Sequence, residues 1–213
     1  MKYVTITLIS SVFLVACGGK KTETEKETET AKLPFIGQHD VDEHGDTIYH
    51  TIPGFELWNQ DSVAFSHANL EGKIHVADFF FTSCETICPQ MTSHMKKVAK
   101  HIANMDDVHI LSFSVDPEHD TPSVLKQYGE VNGVDFKKWT FLTGEEEYIH
   151  ELGGEAYLLN MMRDSSQQGG FLHSEFFVLV DKNGRVRGMY DGTNNDEVDR
   201  LLKEIDVLRK EKN

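Results

Sequence analysis

The chain has 213 residues, with 21 Lys plus Arg against 35 Asp plus Glu and 39% hydrophobic side chains. A formal charge of −14 repels phosphate backbones and excludes nucleic acid as a partner class. The opening "MKYVTITLISSVFLVAC" is too short an apolar run to span a membrane comfortably. It reads as an export signal over residues 1–16 rather than a transmembrane helix.

Leu14-Val15-Ala16-Cys17 resembles a bacterial lipobox, in which the signal is removed and Cys17 becomes the lipid-bearing first residue. The segment that follows, "GGKKTETEKETETAK", alternates threonine with charge and offers nothing apolar to pack before Ala31. Residues 17–32 are therefore expected to form a lipidated, disordered tether. This puts the remainder outside the cytoplasm, in a bacterial cell envelope, held to a membrane by its lipid. Residues 33–213 have the aromatic and aliphatic content of one globular domain. Five of the basic and four of the acidic residues precede Leu33, so this domain carries 16 basic against 31 acidic side chains, a formal charge of −15.

In chain order, Leu33 to Phe65 reads as additional strands and loops with no assignable pairing. "GKIHVADFFF" (72–81) reads as a strand buried on both faces. From Pro89, the spacing of Met91, Met95, Val98, Ala99 and Ile102 predicts a helix, with proline tolerated in its first turn. "VHILSFSV" (108–115) is a second buried strand, and Thr121 caps a helix that begins at Pro122 and carries Val124, Leu125 and Tyr128 inward. "WTFL" (139–142) is a third strand, after which Thr143 with Glu146 reads as a capping box opening a helix to about Tyr157.

The last third changes pattern. "FFVLV" and "RVRGMY" flank "DKNG", whose Asn183-Gly184 pair suits a tight antiparallel turn. Asn194 and Glu197 open a final helix with Val198, Leu201, Leu202, Ile205 and Leu208 facing the sheet. The fold class is α/β: a thioredoxin-like order with a central mixed sheet flanked by helices, extra N-terminal strands, and a closing hairpin and helix.

With Cys17 committed to lipid, Cys84 and Cys88 in "DFFFTSCETICPQM" stand alone in an oxidising compartment. If Cys84 ends a strand and Cys88 enters a helix, both sit at the carboxyl edge of the sheet, four apart on one helical face, where the helix N-terminus favours thiolate. Three uses stand open: electron exchange, metal binding, or a structural staple. Soft thiolates favour Cu(I), and the chain lacks further cysteines for a closed zinc site. A third ligand would have to be a histidine. His173, between the loop "MMRDSSQQGG" and the strand beginning at Phe176, is the best candidate of the eleven. His94 and His101 fall off the apolar face of their helix, and His39, His44 and His50 lie in the polar N-terminal region. Met91 and Met95 read as core side chains rather than thioether ligands.

"DFFFTSCETICP", "FSVDPEHDTPSVLKQY", "TFLTG" and "HSEFFVLVDKNGRVRGMYDG", in that order, resemble the Sco/SenC family of copper-binding, thioredoxin-fold assembly factors. The lead-in "FELWNQDSVAFSHANLEGK" is similar more loosely, so the resemblance runs from about Phe55 to the final helix. It implies that Cys84, Cys88 and His173 bind one copper ion, as Cu(I) or Cu(II). It implies an acidic residue near the metal, for which Asp78 and Asp116 occupy matching positions, each with a cap or turn role as the alternative. His119 stands where the family commonly has arginine. The implied task is delivery of copper to the binuclear centre in a subunit of cytochrome c oxidase, without turnover. The alternative is enzymatic: an exported thiol-disulfide oxidoreductase that reduces that partner's cysteines and is itself recycled. The partners implied are the oxidase subunit, a thioredoxin-like reductant or another copper chaperone, and a membrane. A mere staple would stabilise little, since it closes so small a loop.

Overall fold

The structure, a computed structural model, describes residues 32–160, 162–163, 171–172 and 174–211. A two-stranded hairpin, β1 (Asp40–Val41) with β2 (Thr47–Ile48), precedes the main sheet. β3 (Glu56–Asn59) and β4 (Ala64–Ser66) then form an antiparallel pair, followed by a 3₁₀ turn, His67–Leu70. β5 (Ile74–Phe80) is buried at every position and leads through a loop to α1 (Cys88–His101). β6 (Val108–Ser114), α2 (Pro122–Val131), β7 (Trp139–Thr143) and α3 (Glu146–Glu151) follow, and α3 passes into a π-helical turn, Leu152–Ala156. After a small pair, β8 (Met162–Arg163) with β9 (Phe171–Leu172), come β10 (Phe176–Val180), β11 (Val186–Asp191) and α4 (Asn195–Lys210).

The main sheet has seven strands in the order β11-β10-β5-β6-β7-β3-β4. β5, β6 and β7 are parallel, and β10, β11, β3 and β4 join antiparallel at the two sides. This is the mixed sheet expected from the alternating pattern. It also supplies the pairing that sequence left open, since β3 docks beside β7, with Trp58 opposite Thr143. One face is covered by α4 on β11, α1 against α4, and α2 on β7. On the other face Phe55, Phe79, Phe113 and Tyr157 pack ring against ring. Met91 and Met95 are fully buried in the core, as expected.

Three local expectations need correction. The helix after β7 is not opened by Thr143, which is the buried last residue of that strand and is held in it by Trp58. The cap is Glu145, whose carboxylate accepts from the amides of Glu147 (3.1 Å) and Tyr148 (2.7 Å). His94 is buried rather than solvated, because its Nδ1 lies 2.7 Å from the Gly192 carbonyl in the turn before α4. Thr121 does cap α2 through its backbone, but its hydroxyl bonds Ser123 Oγ instead of a helix amide.

At the amino edge of the sheet the buried Arg187 ties three distant segments together. Its Nε and Nη2 donate to the carbonyls of Pro34 (3.0 Å) and Leu33 (2.6 Å), and its guanidinium lies 4.2 Å from the Phe35 ring centroid. It also pairs with Asp181 of the hairpin turn (3.1 Å) and with Glu211 beyond α4 (2.7 Å). The first described residues are thereby fixed at the end of the sheet opposite the cysteine loop, because β5 runs from that edge toward Cys84.

Candidate metal centre

β5 ends at Phe80, and the chain then crosses the carboxyl edge of the sheet as a loop before α1 begins at Cys88, with Pro89 second in the helix. Cys84 therefore sits in the loop, four residues past the strand, and the pair does not share a helical face as the spacing suggested. The loop turns back on itself through the Cys84 amide, which donates to the Phe81 carbonyl at 3.3 Å. Both cysteines are buried thiols, Cys84 at 8% and Cys88 at 2% exposure, so Cys84 is the more accessible. Thr86 Oγ1 lies 3.4 Å from Cys84 Sγ.

The expected bias toward thiolate is not met at Cys88. Its hydrogen bond with Cys84 pushes its pKa far above the usual thiol value, burial adds to this, and the charge of Cys84 acts in the same direction. Asp78 contributes a smaller push of the same sign. The helix terminus is outweighed because a buried thiol hydrogen-bonded to a neighbouring sulfur gives up its proton only at great cost. A cation arriving at the sulfurs reverses this balance, since metal binding releases thiol protons.

Asp78 lies on β5 below the cysteines. It is buried and accepts from Ser112 Oγ, which in turn accepts from Trp139 Nε1 at 2.8 Å. Asp116 follows β6, and burial and the Asp120 charge push its carboxyl pKa up. Its amide donates to Ser114 Oγ at 3.2 Å, a turn arrangement, and the charges acting on it are those of Asp120, His119 and Glu146. His173 and Cys17 lie outside the described residues. β10, which begins three residues after position 173, starts at the carboxyl edge and runs antiparallel beside β5. Among the described residues, no group of three or more His, Cys, Asp or Glu side chains is placed to hold a metal ion. His101 lies against Asp206, and His50 against the Ala156 carbonyl.

Sequence reasoning missed Asp120. It has no solvent exposure and accepts from Thr82, Ser114 and His119, joining the cysteine loop to the loop after β6. His119 is largely exposed, and its hydrogen bond to Asp120 raises its pKa. The motif "VDPEHDTP" contained the residue, but its partner Thr82 is 38 positions away.

The arrangement offers two adjacent soft donors in a low-dielectric mouth, suited to a thiophilic ion or to exchange with another sulfur. The SCO1/SenC family model matches residues 43–208. The chain is 32% identical over 196 residues to the "SCO1 protein homolog" of Bacillus subtilis, covering 91% of this chain and 90% of that protein. The crystal structure of a SCO1/SenC family lipoprotein from Bacillus anthracis superposes with a TM-score of 0.69 at 33% identity, over 75% of this chain and 95% of that one. BsSco, described with a disulfide switch and as a member of the Sco family of cytochrome c oxidase assembly proteins, gives a TM-score of 0.68 at 34% identity, covering 76% and 95%. Arabidopsis thaliana ScoI, solved with copper bound, gives 0.62 at 26% identity, covering 75% and 98%.

Proposed function

Since the chain belongs to the SCO1/SenC family, we propose that it is a membrane-tethered copper-binding protein that helps assemble the binuclear copper centre of cytochrome c oxidase. Cys84, Cys88 and His173 would hold one copper ion, as Cu(I) or Cu(II). The observation that carries this reading is the pair of buried, mutually hydrogen-bonded thiols at the carboxyl edge of the sheet. Two thiolates suit copper, and β10, which begins three residues after position 173, starts at the same carboxyl edge of the sheet. A copper-bound Sco relative and the assembly role stated for BsSco support the same assignment. The tether would be the lipid on Cys17, with the domain outside the cytoplasm. A neighbouring family member described as a lipoprotein is consistent with this.

Titrating the reduced domain with copper should give one bound equivalent and a thiolate-to-Cu(II) charge-transfer band. Retention of stoichiometry, affinity and spectrum in His173→Ala would remove the three-ligand site.

The hydrogen-bonded dithiol also favours a second reading, reduction of a partner's disulfide. The Cys84 thiolate would attack one partner sulfur and release the other as a thiol. Cys88 would then displace the partner from the mixed disulfide, leaving Cys84–Cys88 oxidised and the partner reduced. A thioredoxin-like dithiol would restore the pair. Cys88→Ser should trap the mixed disulfide with an oxidised copper-subunit peptide, and failure to trap it would exclude this route.

A further inference from the structure

We infer that Asp120 is the positioning residue of the cysteine loop: it pins Thr82 and so sets where the Cys84 sulfur stands relative to Cys88. The two sulfurs are not equally anchored. Cys88 belongs to α1, whereas Cys84 lies in a loop that has left the sheet four residues earlier. Within that loop Thr82, two residues before Cys84, is held by one carboxylate. Asp120 Oδ2 accepts from the Thr82 amide (2.9 Å) and from Ser114 Oγ (2.6 Å). Its Oδ1 accepts from the Thr82 hydroxyl and from His119 Nδ1 (2.9 Å).

All four acceptor positions of the carboxylate are thus occupied, with the group wholly out of solvent. Its own amide is fixed to the Asp116 carbonyl at 2.8 Å, and Ser114 is the last residue of β6. The node is therefore part of the sheet, and Thr82 is held to it by both backbone and side chain. A neighbouring strand contact, Val115 N–H to Phe80 O at 2.9 Å, holds the chain only up to the start of the loop. Thr82 stands two residues before Cys84, so freedom gained there becomes displacement of Sγ.

The chemistry of the node predicts which variants release the loop. In Asp120→Asn the amide NH₂ can face the Thr82 hydroxyl and His119 Nδ1, both of which can act as acceptors, while the carbonyl keeps the Thr82 amide and Ser114. In Asp120→Ala every bond is lost.

This inference rests on the reading of Cys84 and Cys88 as the functional pair, but its first test needs no metal. Iodoacetamide alkylation of each cysteine would be followed by peptide mass in the reduced, metal-free, detergent-solubilised full chain. Asp120→Ala should accelerate alkylation of Cys84 by about tenfold or more and that of Cys88 by less than about threefold, the former being the release of at least one charge-assisted bond. Asp120→Asn should restore the Cys84 rate to within about threefold of wild type. Thr82→Val should accelerate Cys84 in the wild-type background and have no further effect with Asp120→Ala, because the two act through one contact. Equal Cys84 rates in wild type and folded Asp120→Ala, or additive effects of the two substitutions, would overturn the inference. If Asp120→Ala does not fold, an unchanged Cys84 rate in Thr82→Val overturns it instead. In the copper-loaded protein, Asp120→Ala should shift the thiolate-to-Cu(II) band while Asp120→Asn leaves it in place. Absence of copper binding in the wild type would remove the metal reading and leave the positioning role standing on the alkylation rates.

Discussion

Acidification should destabilise this fold through His75 well before carboxylates such as Asp61 and Asp107 titrate. The His75 ring is 1% exposed, with Nε2 3.0 Å from the Tyr157 hydroxyl and, among the described residues, no partner for Nδ1. Burial pushes its pKa down from 6.5 to about 3, nearby His67 and His109 act in the same direction, and Asp181 opposes them weakly. Between those two values the unfolded chain binds the proton and the folded protein does not. Stability from this group is therefore complete above pH ~6.5 and lost as pH falls toward ~3, at about 1.4 kcal/mol per pH unit. From pH 6.5 to 5.0 the loss is about 2 kcal/mol, a substantial part of a typical domain's stability. His109, pushed down to about 4 by burial with help from Lys73 and Lys138, adds a loss of the same sign. His119 has a raised pKa and gives the opposite sign, favouring the fold as it protonates. Asp61, Asp107 and Glu197 have lowered pKa values, so their contribution is lost only below the ordinary carboxylate range. Urea unfolding at pH 7.5, 6.5, 5.5 and 5.0 on wild type and His75→Leu isolates the effect. The variant starts less stable but should lose about 2 kcal/mol less on acidification. Parallel pH dependences for the two proteins would refute the assignment of the slope to His75.

Arg187→Met should cost about 1.5–3 kcal/mol, because it removes charge-assisted bonds to the buried Asp181, which keeps Arg185 as a partner, and to the half-buried Glu211, and should open the segment at Leu33 to proteolysis. Chemical denaturation and limited digestion would check both outcomes. Gly129→Ala places a methyl 2.5 Å from the Phe136 ring and should destabilise by about 1–3 kcal/mol, visible as a lower Tm. Glu145→Ala should cost about 1 kcal/mol through loss of the α3 cap, whereas Glu146→Gln should leave that cap intact in the same thermal melts. A larger effect from Glu146→Gln would return the cap to the pattern read from sequence.

The strands at 74–80, 108–114 and 139–143 and the helices after them were legible in the sequence because burial imposes a local period on apolar residues. The cysteines were legible for a related reason: two sulfurs, a proline and a strand end within a dozen residues form a local pattern. What failed locally failed where a distant partner decided the outcome. Thr143 looks like a helix cap until Trp58 holds it in a strand, and His94 looks solvated until the Gly192 carbonyl arrives from nearly a hundred residues away. The short β3 and β4 have too few residues for a period to show, and only docking beside β7 defines them.

Sequence by itself thus determined the alternating strand and helix order, the closing hairpin, and which two sulfurs stand at the head of α1. Tertiary structure alone decided that those sulfurs hydrogen-bond each other, that Asp78 is buried close enough to act on Cys88 with Ser112 as its partner, and that Asp120 rather than Asp116 bonds their loop. The physical reason is that periodicity records whether a residue is buried, while hydrogen-bond partners and proton affinities depend on which groups folding brings within about 3 Å, and linear spacing does not encode that distance.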